Sequence, residues 1–424
     1  MIRAGASHWL HLIARYSAGQ SAILAINLIS GFLVLRFLSL EEYAIYILAS
    51  LLQSIGSLGT DLGMSQGVVS LGAPLSADKA AFGRLVRGAV ALRARLFLVV
   101  LPIVLVVAYV VMRNNAASLV SALIVTFLAL AIAWMQQSSS IATAVLNANH
   151  DSPGLLFAGA ITATSRLILI AGLVSAYPNA VVAMAINLVG TSLNAGLLWR
   201  RCRSHLAASD AGREAKASPE LIAFMRPLLP GIIYYVLQGN ISTFLLSLAG
   251  TSTAIAEVGA LSRLGQIISL LMLLNGFFVQ PYFARIRDRR RFAIRSGQML
   301  LVLALGFAAV TASALVAPQA WLMVLGSKYE SLSGELVLAL VGALLSLIGA
   351  TLYTMVIATR RTRGQWLQIA IGAGAQAIFV SMFGINNTRD ALVLNMIPAA
   401  AYAALQMGLL IHILLSWKRD ATHH

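Results

Sequence analysis

Hydrophobic residues fall along this chain in long blocks separated by short polar turns. Twelve such blocks occur, near 17–39, 43–66, 94–112, 117–147, 155–176, 179–199, 219–248, 254–282, 296–316, 334–358, 365–384 and 390–415. A helix rises about 1.5 Å per residue and a bilayer's hydrocarbon core is about 30 Å thick, so roughly 20 apolar residues make one crossing. The pattern therefore predicts an all-α integral membrane protein with 12 transmembrane helices. The block at 117–147 exceeds one crossing and predicts a helix that tilts or runs past the bilayer. Ahead of the first block, residues 1–16 mix Trp9, Leu10 and Ile13 with Arg3, His8, His11 and Arg15, the composition of an amphipathic interfacial helix. The stretch 201–218, RCRSHLAASDAGREAKAS, reads as a cytoplasmic linker. It divides the chain into an N-terminal lobe, 17–200, and a C-terminal lobe, 219–416, of six helices each, with a cytoplasmic tail at 417–424. Six crossings per lobe start both lobes on the same side, which predicts a parallel repeat with pseudo-two-fold symmetry about the membrane normal.

Several blocks carry polar residues at helical spacing. On the first, Ser17, Gln20, Asn27 and Gly31 share a face that Leu24 interrupts. On the second, Tyr43, Tyr46, Ser50, Gln53, Ser57 and Asp61 follow at uninterrupted steps of three and four. Tyr235, Gln238 and Ser242 mark the seventh; Gly259, Arg263 and Gln266 mark the eighth. The fourth holds the run QQSSS with Asn147 and Asn149. Lipid does not favour such faces, so they should meet protein or a water-filled space. The amides and hydroxyls suit sugar hydroxyls, or else interhelical hydrogen bonds worth about 0.6 kcal/mol each. The second half also echoes the first: Glu257-Val258-Gly259 opens the eighth block as Glu42-Tyr43-Ala44 opens the second.

Charge sharpens this picture. The chain of 424 residues is 59% hydrophobic and 10% charged, with a net charge of +16. Most of its 30 basic residues lie in alternate loops, among them Arg285, Arg287, Arg289, Arg290, Arg291 and Arg295. By the positive-inside rule those loops are cytoplasmic, with both termini, and the basic balance concerns orientation and anionic lipids rather than nucleic acid. Arg263 lies about nine residues, or ~13 Å, into the eighth block. An arginine there costs ~2.5–3.5 kcal/mol on insertion scales and is retained where it faces a cavity or partner. It could hold a phosphate or pyrophosphate as a bidentate donor, or pair structurally with Glu257 or backbone carbonyls. Arg166, in the fifth block beside Thr162, Thr164 and Ser165, offers the same alternatives. Arg36, at the end of the first block, is a third candidate for binding that anion, or could snorkel to headgroups. Asp61 could bind a coupling ion, or cap a helix. No phosphate loop, no HExxH and no Cys/His cluster at metal-ligand spacing occurs, and there are only 14 acids and one cysteine, Cys202. The pattern is that of a non-catalytic protein with no metal site and no cofactor.

The stretch RFLSLEEYAIYILASLLQSIGSLGTDLGMSQGV resembles the opening hairpin of polysaccharide and O-antigen flippases of the multidrug/oligosaccharidyl-lipid/polysaccharide exporter superfamily. The matching positions are Arg36, Glu42, Tyr43 and Tyr46, with Ala44 where that family usually has glycine; AEVGALSRLG resembles the matching start of the eighth helix. The resemblance implies a V-shaped pair of helical bundles around a cationic cavity lined by helices 1, 2, 7 and 8. Its implied substrate is an undecaprenyl-pyrophosphate-linked oligosaccharide, moved from the inner to the outer leaflet of a bacterial inner membrane for O-antigen, capsule or exopolysaccharide synthesis. Arg263 is similar in position to an intramembrane arginine required in the related lipid II flippases. Implied partners are membrane lipids and the polymerase and glycosyltransferases of the same pathway. The membrane potential would drive transport, with a proton or sodium ion as candidate coupling cation. The alternatives are a cation-coupled multidrug antiporter of the same superfamily, for which Asp61 is the sole acidic candidate, and a polysaccharide polymerase or ligase. The last usually carries a large outer loop that this sequence lacks.

Overall fold

The computed structural model describes residues 2–115, 118–206, 219–249, 251–275, 279–286, 288–359 and 366–417. Sixteen α-helices and no strands occur among them, as the hydrophobic blocks require. The first half contains α1 (Ile2–Phe37), α2 (Leu40–Asp61), α3 (Met64–Gly72), α4 (Lys79–Asn114), α5 (Leu119–Ala148), α6 (Ser152–Leu169) and α7 (Ala180–Cys202). The second contains α8 (Pro219–Met225), α9 (Leu229–Ala249), α10 (Ser252–Leu274), α11 (Gln280–Ala284), α12 (Arg289–Val316), α13 (Pro318–Leu325), α14 (Ser333–Ala358), α15 (Leu367–Phe383) and α16 (Thr388–Leu415). Among the described residues ten helical spans are long and apolar enough to cross a membrane; α10 and the shorter α15 fill the two remaining predicted blocks.

Short polar side chains set the helix starts. Asp78, Ser118, Asp151, Asn179, Asp288 and Asn387 each accept a hydrogen bond from a backbone N–H of the following first turn. Each thereby satisfies a donor that the helix itself leaves free. Left-handed backbone at Leu62 (φ 43°) and Gly63 (φ 82°) ends α2 immediately after Asp61. Two helices run longer than their hydrophobic blocks. The helix containing the first block starts at Ile2 without a break, and the side chains of residues 2–16 lie outside those described. The third block belongs to a helix that begins at Lys79. Arg93, which the charge pattern assigns to the inner side of the membrane, is 3% exposed within α4. Its guanidinium lies 4.3 Å from the Trp134 ring centroid and donates to the Trp134 carbonyl at 2.9 Å. Cation–π attraction and that carbonyl hold a charge which sequence spacing alone assigns to water.

The helices pack into two compact units, Met1–Ala256 and Glu257–His424. In the first, α5 packs along α7, α2 meets α4, α5 and α7, α1 lies on α6, and α8–α9 cover α2, α3 and α4. In the second, α14 packs along α16, with α15 on α16 and with α11 and α12 on α14. The sequence linker at 201–218 lies outside the described residues from 207 onward. Small residues permit these approaches, because helices in lipid associate through close packing rather than through exclusion of water. Gly349 of α14, for example, faces the Tyr402 ring and the backbone of Ala403. Outward-facing side chains such as Leu98, Val106, Phe127, Phe157, Leu301 and Val302 are each 60% or more exposed. A surface this apolar is suited to hydrocarbon, and the chain is a multi-pass membrane protein.

The internal echo has a structural counterpart. Glu42, at the start of α2, accepts a hydrogen bond from the Ala180 backbone N–H at the start of α7, 2.6 Å away. Glu257, early in α10, accepts one from the Thr388 hydroxyl at the start of α16. In both halves a carboxylate thus neutralises the N-terminus of the half's last helix, where the helix dipole favours it. Glu257 is engaged there, while the Arg263 guanidinium donates to Gln266 Oε1 at 3.3 Å.

Candidate functional site

The polar stripe of α2 leads to the site. Tyr46, Ser50, Gln53 and Ser57 recur on the face turned toward α5, α6 and α7, where Gln136, Arg166, Asn187 and Thr191 come forward. With Ser54 these residues line a cavity of about 300 Å³. The walls are cross-linked: Gln53 Nε2 donates to Gln136 Oε1 at 2.8 Å, and Asn187 Nδ2 donates to the Tyr46 hydroxyl at 3.2 Å. Tyr43, fully buried, stacks against Tyr46 with ring centroids 6.0 Å apart. From α9, Asn240 Nδ2 reaches Ser54 Oγ at 3.2 Å.

Arg166 has a different environment. Among the described residues no hydrogen bond or ion pair reaches it, and its Nε is buried without a partner. Thr162 Oγ1, one turn earlier on α6, and Asn187 Oδ1 across the cavity are also buried without hydrogen-bond partners. One turn beyond Arg166 the helix loosens into a π-helical turn at Ile170–Val174, a deviation often found at functional sites. Opposite, Gly190 of α7 leaves the flank of Arg166 uncrowded; even an added Cβ there would stay 3.9 Å from Arg166 Cβ. A cation and an amide side chain with unmet hydrogen-bonding capacity thus line one polar space.

Ser57 and Gln136 also line a second cavity of about 480 Å³, between α2, α3 and α5. Its polar lining includes Asp61, Ser65, Gln66, Ser140, Thr143 and Asn147. Asp61 Oδ1 accepts from the Ser65 hydroxyl at 2.5 Å and from the Ser65 backbone N–H at 3.3 Å. Ser65 Oγ in turn lies 2.6 Å from Ser140 Oγ. Asp61 therefore helps to cap α3, and among the described residues no basic side chain pairs with it. The two cavities form a polar seam along the first unit.

Of the residues singled out from sequence, Tyr46, Ser50, Gln53 and Arg166 meet in the first cavity, and Asp61 lies in the second. Gln20 and Asn27 are half-buried on α1, which packs on α6, and Gln238 is half-buried on α9. The Tyr235 side chain lies outside those described. Arg36 is exposed in the last turn of α1, where a cation meets the helix dipole favourably. Arg263 and Gln266 share a face of α10 in the second unit. Ser54, Asn187, Thr191 and Asn240 lie outside the polar stripes named above, and Gln136 belongs to the QQSSS run. The signal existed: Gln136, Ser140, Thr143 and Asn147 repeat at steps of four, three and four, and Asn187 and Thr191 are four apart.

No family model matches the sequence, and no curated protein matches it. The fold, however, matches solved structures along nearly the whole chain. A multidrug-resistance MATE family transporter of the MOP superfamily, in an inward-facing conformation, aligns with a TM-score of 0.68 at 14% identity, covering 95% of this chain and 96% of that one. The lipid II flippase MurJ in an inward closed conformation aligns with a TM-score of 0.67 at 14% identity, covering 97% and 94%. A MOP superfamily transporter from Pyrococcus furiosus, described as having a binding pocket of reversed polarity, aligns at 0.62 with 16% identity, covering 95% and 96%. The fold is therefore that of MOP superfamily transporters and flippases.

Proposed function

We propose that this protein is a flippase for a lipid-linked oligosaccharide, with undecaprenyl pyrophosphate as the carrier. It would move its substrate from the inner to the outer leaflet of a bacterial inner membrane for O-antigen, capsule or exopolysaccharide assembly, with both termini cytoplasmic. The observation that carries the reading is Arg166: a guanidinium within a membrane-spanning helix, without a partner among the described residues, in a cavity of amides and hydroxyls. Such a cation matches a phosphate or pyrophosphate, and the surrounding Gln53, Gln136 and Asn187 match sugar hydroxyls. Arg263, with Gln266 beside it on α10, is a second candidate for binding phosphate. Alternating access would carry the charged head across while the lipid tail stays in the bilayer. Two negative charges moving outward gain about 2.3 kcal/mol each per 100 mV of inside-negative potential. Asp61, with no basic partner among the described residues, is the candidate site for a proton or sodium ion, should transport be coupled.

Asp61 also supports a second reading, a cation-coupled drug antiporter, because such exchange needs an acid that can take up a cation. One experiment separates the two. Cells lacking the protein are complemented with wild type, Arg166→Gln or Arg263→Ala, and the leaflet distribution of polyprenyl-linked sugars is measured. Inner-leaflet accumulation that wild type relieves and the variants do not supports flipping. Unchanged lipid-linked sugars with altered drug resistance would reject it.

A further inference from the structure

The turn between α11 and α12 builds a basic groove that shares no lining residue with the two cavities described above. Phe283 of α11 and Phe292 of α12, 3% and 0% exposed, pack edge-to-face with ring centroids 5.3 Å apart; Trp417 closes on Phe292 at 5.2 Å. This aromatic anchor fixes the corner and turns the opposite face of α12 outward. Arg291, Ile294, Arg295 and Gln298 then line up at helical spacing and, with Tyr282 and Arg285, enclose a groove of about 610 Å³. Residues 280–298 contain six arginines and one acid, Asp288. The Asp288 carboxylate caps α12 by accepting from the Arg291 backbone N–H at 2.9 Å, so it is oriented toward the helix end. Arg295 is steadied by donation to Gln298 Oε1 at 2.8 Å. A comparable basic groove at the start of α6 differs, because its Arg201 is bound to Asp151 at 2.6 Å.

The groove is also apolar along one side. Tyr282 and Ile294 are 48% and 50% exposed, and the same side of α12 continues into Leu301, Val302 and Leu305, each at least 60% exposed. Positive charge at a helix end, continuous with a bare hydrocarbon-facing strip, is the shape of a phospholipid with its headgroup at the arginines and a chain along α12. A water-soluble phosphate would use the arginines and leave the strip without a role. We propose that the groove at Tyr282, Arg285, Arg291 and Arg295 is a binding site for an anionic glycerophospholipid of the surrounding bilayer. The inference is independent of which substrate the protein carries.

The test is native mass spectrometry of the full-length protein in detergent, titrated with phosphatidylglycerol, phosphatidylcholine or glycerol 1-phosphate. Wild type should retain phosphatidylglycerol at least about tenfold better than phosphatidylcholine, whose choline cation offsets the phosphate charge that attracts the arginines. The combined variant Arg285→Gln, Arg291→Gln, Arg295→Gln should lose that preference, whereas the three corresponding Lys substitutions and Arg200→Gln should keep it. Should the triple Gln variant not fold, Arg291→Gln alone should reduce the preference. The site is refuted if phosphatidylcholine binds equally, if the Gln variants keep the preference, or if glycerol 1-phosphate displaces phosphatidylglycerol at equal concentration.

Discussion

Replacing Arg166 with glutamine should affect binding and stability in opposite directions. The guanidinium has no partner among the described residues, and its Nε is buried without a hydrogen bond. An unsatisfied buried donor costs about 1–3 kcal/mol. Removing it should therefore leave the fold at least as stable as wild type, with a gain of up to about that amount. Binding should move the other way. Opposite charges about 4 Å apart interact by roughly 4 kcal/mol at an effective dielectric of 20, and truncating one partner of such a pair typically costs 2–5 kcal/mol. Taking about 3 kcal/mol, affinity for a prenyl pyrophosphate should fall about a hundredfold. Thermal unfolding in detergent and calorimetric titration with farnesyl pyrophosphate measure both effects on the same preparation. A structural arginine gives the reverse signature: an Arg166→Gln protein that unfolds earlier yet binds pyrophosphate like wild type would refute the reasoning.

Other substitutions test the scaffold. Alanine at Gly349 would place a Cβ 2.6 Å from Tyr402 Cδ1 and 3.3 Å from the Ala403 backbone nitrogen, whereas alanine at Gly190 meets nothing nearer than 3.9 Å. Thermal unfolding should show Gly349→Ala losing about 1–3 kcal/mol and Gly190→Ala staying within about 0.5 kcal/mol of wild type. Glu42→Gln and Glu257→Gln should each cost about 1 kcal/mol in the same assay, because each removes a charged acceptor from the N-terminus of a half's last helix. Asp151, in the turn between α5 and α6, is held down at about 2 from an ordinary 3.8, chiefly by the hydrogen bond from Arg201 and also by those from His205 and the Gly154 N–H. A depressed carboxylate stabilises the fold above pH 3.8 and loses that contribution as pH falls toward 2. Asp151→Asn should therefore cost about 1–2 kcal/mol at neutral pH, and the difference from wild type should vanish in acid unfolding over that interval.

The crossings were legible in the sequence because bilayer thickness sets how long an apolar stretch each crossing needs. The stripe from Tyr46 to Asp61 pointed to the cavity because a run of polar residues three and four apart has no place against lipid. Arg263 stood out more than Arg166, since a charge early in a helix beside a glutamine looks like a site, and Arg166 among threonines and serines looks like a satisfied one. Only the placement of α7 supplies the missing contact information: Asn187 turns its amide nitrogen to Tyr46, leaving its oxygen and the Arg166 Nε without partners among the described residues. The burial of Arg93 was not legible for a related reason. Hydropathy registers its charge but not the Trp134 ring beneath it. The pairing of Glu42 with α7 and of Glu257 with α16 spans 138 and 131 residues, a separation at which local pattern carries no information.

The most direct test of the account is flipping in a purified system. Wild type and Arg166→Gln are reconstituted into vesicles containing a fluorescent undecaprenyl-pyrophosphate oligosaccharide, and an impermeant quencher reports which leaflet holds the sugar. The account predicts that wild type equilibrates the labelled lipid between leaflets and that Arg166→Gln, equally folded, leaves it where it began. Wild-type vesicles that leave the lipid in place, yet exchange a cationic drug for protons, would contradict it.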